Sequence, residues 1–172
     1  MYAPRESEVN RNVPFWKRGS NSTPEAQPEP DPDQIAVFET AGVIEGLLPW
    51  QERRLSDTLN AGQPLRVHVT RPGTASADWE ELNPDRVIAV AAPPRPAPSA
   101  ARMARRRHEV TLHAGPYRFS GIAHMPAGAD PGRFVRSTPQ RWLPLTRCTV
   151  TSPDGEFEVE VLIVNLEHVS RH

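Results

Sequence analysis

The clearest alternation along the chain is Glu156-Phe157-Glu158-Val159-Glu160-Val161-Leu162-Ile163-Val164, which predicts a strand with Phe157, Val159 and Val161 on one face and glutamates on the other. Ser152-Pro153-Asp154-Gly155 ahead of it predicts a tight turn, and Trp142 to Val150 a partner strand, with Pro144 placing part of that strand on a sheet edge. A second pair of strands is expected at Val110-Thr111-Leu112-His113 and Tyr117-Arg118-Phe119-Ser120-Gly121-Ile122, turning at Ala114-Gly115. A third is expected at Ile35-Ala36-Val37-Phe38-Glu39-Thr40 and Val43-Ile44-Glu45-Gly46-Leu47-Leu48, turning at Ala41-Gly42. Leu65 to Thr70 and the stretch around Arg86 to Ala91 complete the strands expected in the first part of the chain, with a loop through Arg71-Pro72-Gly73-Thr74. Between the first hairpin and Leu65, Leu55 and Leu59 lie four apart and Asn60 with Gly62 supplies stop chemistry, so one or two helical turns compete with an irregular loop packed down by the two leucines.

These elements fall into two units of about sixty residues that match each other in order. Gly46 and Gly121 occupy the same place in the second strand of each, where a glycine suits a sharp bend or a close backbone approach. Arg53 to Asn60 falls opposite Arg133-Phe134-Val135-Arg136-Ser137, and Leu65-Arg66-Val67-His68-Val69 opposite Leu143-Pro144-Leu145-Thr146. The closest match is Leu82-Asn83-Pro84-Asp85-Arg86-Val87 against Val164-Asn165-Leu166-Glu167-His168-Val169, in which apolar, Asn, any, acid, base and Val recur in the same order. Two copies of one unit should fold alike and pack as a pseudo-two-fold pair. The second copy carries an insertion, Met125-Pro126-Ala127-Gly128-Ala129-Asp130-Pro131-Gly132, rich enough in turn residues to read as a loop.

Twenty prolines in 172 residues limit how much of the chain folds. They gather in Met1 to Gln34 and in Ala91 to Pro98, where Pro with Ala, Glu and Ser offers too little apolar burial to offset chain entropy. The organisation expected is therefore a disordered tail over 1–34, a first unit over 35–91, a Pro/Ala-rich and basic linker over 92–107 and a second unit over 108–172, with a short helix possible at Ala100 to Arg107. Net charge is -1, so no field of the whole molecule draws it to nucleic acid or an anionic membrane. Local charge is uneven. Glu25, Glu29, Asp31 and Asp33 make an acidic tract, while Arg102, Arg105, Arg106, Arg107 and His108 make a basic knot. Solvation of linkers explains both tracts, and contact of the knot with phosphate or an acidic partner is the sharper alternative. In the tail, Phe15, Trp16, Lys17 and Arg18 form an aromatic and basic island that is either a docking motif ordering on a partner or an exposed accident.

Cys148 is the only cysteine, which leaves no internal disulfide and no cysteine-based metal site. No apolar run reaches bilayer length and the N-terminus lacks a signal-peptide core, so a cytoplasmic location is the default expectation. The six histidines show no ligand spacing beyond a weak pairing of His113 with His124 across a hairpin, and neither metal nor cofactor is expected. Ser56 and Asp57 beside Arg53 and Arg54 admit a catalytic reading, but a local role capping a helix or turn is favoured, and Asn83 and Asn165 are expected to bridge turns. No glycine-rich phosphate loop and no nucleophile paired with a base can be read, so an enzyme is not expected.

Five short strands, a glycine-bent second strand and an ending in Asn-x-acid-base-Val resemble a small Sm-like or SH3-type β-barrel. The run Arg54-Leu55-Ser56-Asp57-Thr58-Leu59-Asn60 is similar to the motif Arg-Leu-Ser-Asp-x-Leu-Asn of an uncharacterised bacterial small-domain family. The resemblance implies two tandem small barrels in a mainly β protein. Sm-like proteins commonly bind RNA in a ring, through an acid and Asn pair and an Arg-Gly pair. Asp57 and Asn60 resemble the first pair, while Asn83-Pro84 and Asn165-Leu166 stand where the second would be. The expected function is a non-catalytic protein-binding or assembly module with an unidentified protein partner, possible self-association and Arg53 and Arg54 as contact candidates. The alternative is RNA binding through Arg102, Arg105, Arg106 and Arg107.

Overall fold

The computed structural model describes residues 31–49, 51, 53–69, 78–95 and 105–170. They form nine strands and two short helices: β1 Asp33–Glu39, β2 Gly42–Leu48, α1 Leu55–Asn60, β3 Leu65–Val69, β4 Asp78–Leu82, β5 Val87–Ala92, β6 Arg105–Ala114, β7 Tyr117–Pro126, α2 Pro131–Ser137, β8 Trp142–Ser152 and β9 Gly155–Asn165. All nine strands belong to one antiparallel sheet in the order β4-β3-β2-β1-β5-β9-β8-β7-β6. The protein is mainly β, as expected. The strands do not close into two separate barrels, because β5 bonds to β1 along one side and to β9 along the other, leaving the first half no strand with which to close on itself.

The two halves present their strands alike. The first reads β4-β3-β2-β1-β5, and the second reads β9-β8-β7-β6 followed by a single bridge from Ala114 to Val169. That bridge corresponds to Glu39 opposite Val87, since Glu39 and Ala114 each end the strand before a tight turn. Each half also places a helix between its second and third strands. The matched asparagines make the same turn twice: Asp85 N donates to Asn83 Oδ1 (2.9 Å) and Arg86 N to Asn83 O (2.9 Å), as Glu167 N does to Asn165 Oδ1 (3.1 Å) and His168 N to Asn165 O (3.2 Å). Both strand glycines admit a close neighbour. A Cβ at Gly46 would stand 2.9 Å from His68 O and one at Gly121 3.2 Å from Cys148 Cα, each beside the strand that follows the helix. The halves do not pack as a two-fold pair. A two-fold axis would join like strands, whereas β5 here meets β9, the counterpart of β4, so the halves join head to tail.

The junction puts apolar residues on both faces of the central strands. Ile35 and Val37 of β1, Val87 and Val90 of β5, and Ile163 of β9 enter one core with Leu48, Leu55, Leu59, Leu65, Val67 and Trp142. Phe38, Ile88, Leu162 and Val164 enter the other with Phe119, Met125, Leu143 and Leu145. Continuous burial from Val87 to Ala91 and from Leu162 to Asn165 follows, because a strand covered on both faces has no polar side to show. In the expected strand Glu156 to Val164, the buried part is Leu162 to Val164, while Phe157 is exposed and Val159 and Val161 are half-buried.

Several expectations differ from the structure. Asp78-Trp79-Glu80-Glu81-Leu82 forms β4, a strand with too little alternation to be read from its residues because it lies at the open end of the sheet. The loop expected from Met125 to Gly132 is shorter, since β7 runs to Pro126 and Pro131 opens α2, with Asp130 Oδ1 accepting from Arg133 N at 2.7 Å. Arg105 to Arg107 belong to β6 rather than to a linker helix, because pairing with Met125, His124 and their neighbours extends the hairpin. Pro144 lies in the interior strand β8. It is tolerated because pairing of β8 with β7 ends at Leu145, so no partner waits for the missing N–H on that side.

Two asparagines clamp the halves. Asn60, at the end of α1, donates to Trp142 O (2.9 Å) and accepts from Trp142 N (2.9 Å), so its side-chain amide pairs with β8 as a strand would. Fully buried Asn165 donates from Nδ2 to Pro84 O and Val87 O, both at 3.0 Å. Arg141 adds contacts to Pro84 O (3.0 Å), Asp85 (2.6 Å) and Glu167 (2.8 Å). Replacing Asn60 by Leu keeps its bulk and leaves both polar groups of Trp142 unpaired, so Asn60→Leu should lose on the order of 1 to 3 kcal/mol in urea unfolding, and Asn60→Asp, which keeps the acceptor, should lose less. Wild-type stability for Asn60→Leu would show that these bonds do not hold the junction.

Candidate functional site

Among the described residues the two end strands of the sheet, β4 and β6, have a neighbouring strand on one side only. At one end, β6 alternates backbone groups toward β7 and toward the outside, and His113 O, on the outer side, accepts from Ser170 N at 2.8 Å. With an unbroken register along β6, the backbones of Thr111, Glu109, Arg107 and Arg105 face the same open side. A groove of about 350 Å³ runs along this edge, walled by α2 through Pro131 and Val135 and by Leu166 and Val169. In the first half the corresponding position beside β1 is filled by β5. In the second half that position holds, among the described residues, only the bridge from Ala114 to Val169 and the Ser170 bond.

Arg105, Arg106 and Arg107 are all exposed on this edge strand. The opposite end is acidic. Strand β4 carries Glu80 and Glu81, with Glu81 3.9 Å from Arg66, and Trp79 is 58% exposed with its ring against His68 at 5.0 Å. An exposed tryptophan on an edge strand is a large apolar surface at the place where another chain would pair.

Elsewhere the structure brings together residues that the sequence left apart. Beyond Ala123 and Leu145, β7 and β8 diverge and open a cleft of about 330 Å³ at the junction of the halves. Arg54, Leu55 and Ser56 reach it from the start of α1, Arg105 from β6 and His124 from β7. His124 Nε2 lies 3.1 Å from Thr146 Oγ1. Arg95 closes one wall by pairing with Asp33 and donating to Gln51 O at 2.6 Å.

Phe15, Trp16, Lys17, Arg18 and Arg102 lie outside the described residues, as does most of the expected tail and spacer. Arg53 is exposed, and Leu55 and Leu59, at 8% and 6% exposure, anchor α1 in the core. Ser56 and Asp57 do not cap α1, which has no side-chain cap; Thr58 instead bonds Gln51 Oε1 (3.1 Å) and Arg54 O (3.3 Å) across its first turn. His113 and His124 pair with Arg118 and Arg107 at opposite ends of the hairpin, so they share no ligand position. Among the described residues no three of His, Cys, Asp and Glu cluster as metal ligands, and no helix is long and apolar enough to cross a membrane. Burial pushes the Cys148 thiol up to about 11, which removes its thiolate at neutral pH.

Burial, and then the guanidiniums of Arg107, Arg105 and Arg54, hold the His124 imidazole below its ordinary value. In the unfolded chain it takes a proton near about pH 6.5, whereas the folded chain resists until lower pH, so its contribution to stability falls as pH drops through that window. His124→Gln should therefore show a smaller loss of urea midpoint than the parent between about pH 6.5 and pH 5. Equal losses in the two proteins would remove His124 from the acid response.

No family model matches the chain, and no curated protein and no solved structure matches it.

Proposed function

We propose that the chain is a non-catalytic assembly module, built from two copies of one unit, that joins copies of itself head to tail by adding the β4 edge of one molecule to the β6 edge of the next. The observation that carries this reading is the junction inside the molecule, where β5 of the first half bonds to β9, the counterpart of β4. The same relation between halves leaves a β4 edge at one end and a β6 edge at the other. The two edges differ in the sign of their charged residues, arginines on β6 and glutamates on β4, of which Glu81 also lies 3.9 Å from Arg66, and Trp79 supplies apolar area to cover. A contact between unlike edges closes as a ring or continues as a filament, according to the rotation at each joint.

Light scattering over a wide concentration range should show self-association that weakens with added salt, as expected for an interface steered by opposite charges. Thr111→Pro removes an outward N–H from β6 without touching its pairing with β7, and it should leave a folded protein that stays monomeric. A wild type that is monomeric throughout would mean that the arginines guard the edge instead of recruiting a partner.

The exposure of Arg105, Arg106 and Arg107 on one edge strand favours a second reading, RNA binding along that edge. In that case changing Arg102, Arg105, Arg106 and Arg107 to Ala should abolish RNA affinity and reduce the log-log salt slope by about 0.7 to 0.9 per lost contact. A wild type with no salt-sensitive RNA binding would exclude it.

A further inference from the structure

The cleft at the junction of the halves is a second feature, separate from the sheet edges. It is lined by apolar Leu48, Leu55, Pro144, Val161 and Ile163 and by the cationic side chains of Arg54, Arg95 and Arg105. Arg95 is matched by Asp33, the one carboxylate among the described residues that line the cleft. Arg54 and Arg105 have no ion pair with a described residue. Arg54 Nε is also shut off from solvent without a hydrogen-bond partner among the described residues, although a buried guanidinium N–H without an acceptor is costly.

We propose that this cleft binds a small amphipathic anion, its carboxylate or phosphate head held by Arg54 and Arg105 and its apolar chain or ring laid on Leu48, Pro144, Val161 and Ile163. A planar guanidinium suits either head, since it presents paired N–H donors to two oxygens. The volume, about 330 Å³, is that of a small-molecule site rather than of a peptide groove. Water alone would meet mostly apolar wall there, so an apolar body displaces it at little loss of hydrogen bonding. The suppressed protonation of His124 reports the same surplus of positive charge, with burial as its larger cause. Arg54 belongs to the first half and Pro144, Val161 and Ile163 to the second, so an occupant would tie the halves together and stabilise the folded chain by mass action.

The test is calorimetric titration of the whole chain with octanoate, octyl phosphate and octanol, alongside inorganic phosphate. Saturable binding of octanoate, octyl phosphate or both, with octanol and inorganic phosphate at least tenfold weaker, is the expected result, and the better of the two anions identifies the head group. Arg105→Ala, at an exposed position that should not disturb folding, and Arg54→Ala should each weaken that binding about tenfold or more, as loss of a charge-assisted pair implies. No binding of either anion at millimolar concentration would overturn the proposal. So would octanol binding as well as octanoate, or anion binding indifferent to both arginine changes.

Discussion

Strand β5 is bonded along both sides and covered on both faces, and the rest of the molecule is arranged to permit this. Hydrogen bonds to β1 and β9 leave no edge, and the opposite faces of Val87 to Ala91 supply two different cores. Neither half is complete without that strand. The first half needs β9 beside it, and the second needs β5 to cover β9. A sheet built this way is continuous, even though its strand order divides into two similar sets.

Side chains secure the same joint where backbone pairing stops. Asn60 extends α1 onto β8, Asn165 reaches from β9 to the turn before β5, and Tyr117 donates its hydroxyl to Glu39 O at 2.9 Å, from the second half to the first. Each satisfies polar groups that the crossing of two halves would otherwise strand in an apolar interior. The asparagines belong to the two motifs that stand out in the sequence, and both motifs serve the contact between the halves.

Much of the fold was legible because it is local. Hairpins, the paired glycines, the Asn-x-acid-base-Val turns and the buried Leu55 and Leu59 follow from turn chemistry and periodicity. The open sheet was not legible, since a strand bonded on both sides and one that closes a small barrel carry the same apolar residues. Strand β4 was hidden by its glutamates, which an edge strand tolerates, and the start of β6 was masked by Arg105 to Arg107, which suit an edge or a linker equally, although its second part, Val110 to His113, was legible. The cleft was out of reach for a different reason. Arg54, Arg105 and His124 are distant in sequence, and only the divergence of β7 from β8 brings them to one place.

The double use of β5 also sets an order of events during synthesis. Val87 to Ala92 emerges from the ribosome well before β9, its partner, is made, so a six-residue apolar segment without a charge waits with one edge uncovered. Such segments are the ones that pair with neighbouring chains when exposed. Pro93 and Pro94 follow directly and cannot donate to a growing ladder, which limits how far any wrong pairing can run before β9 arrives.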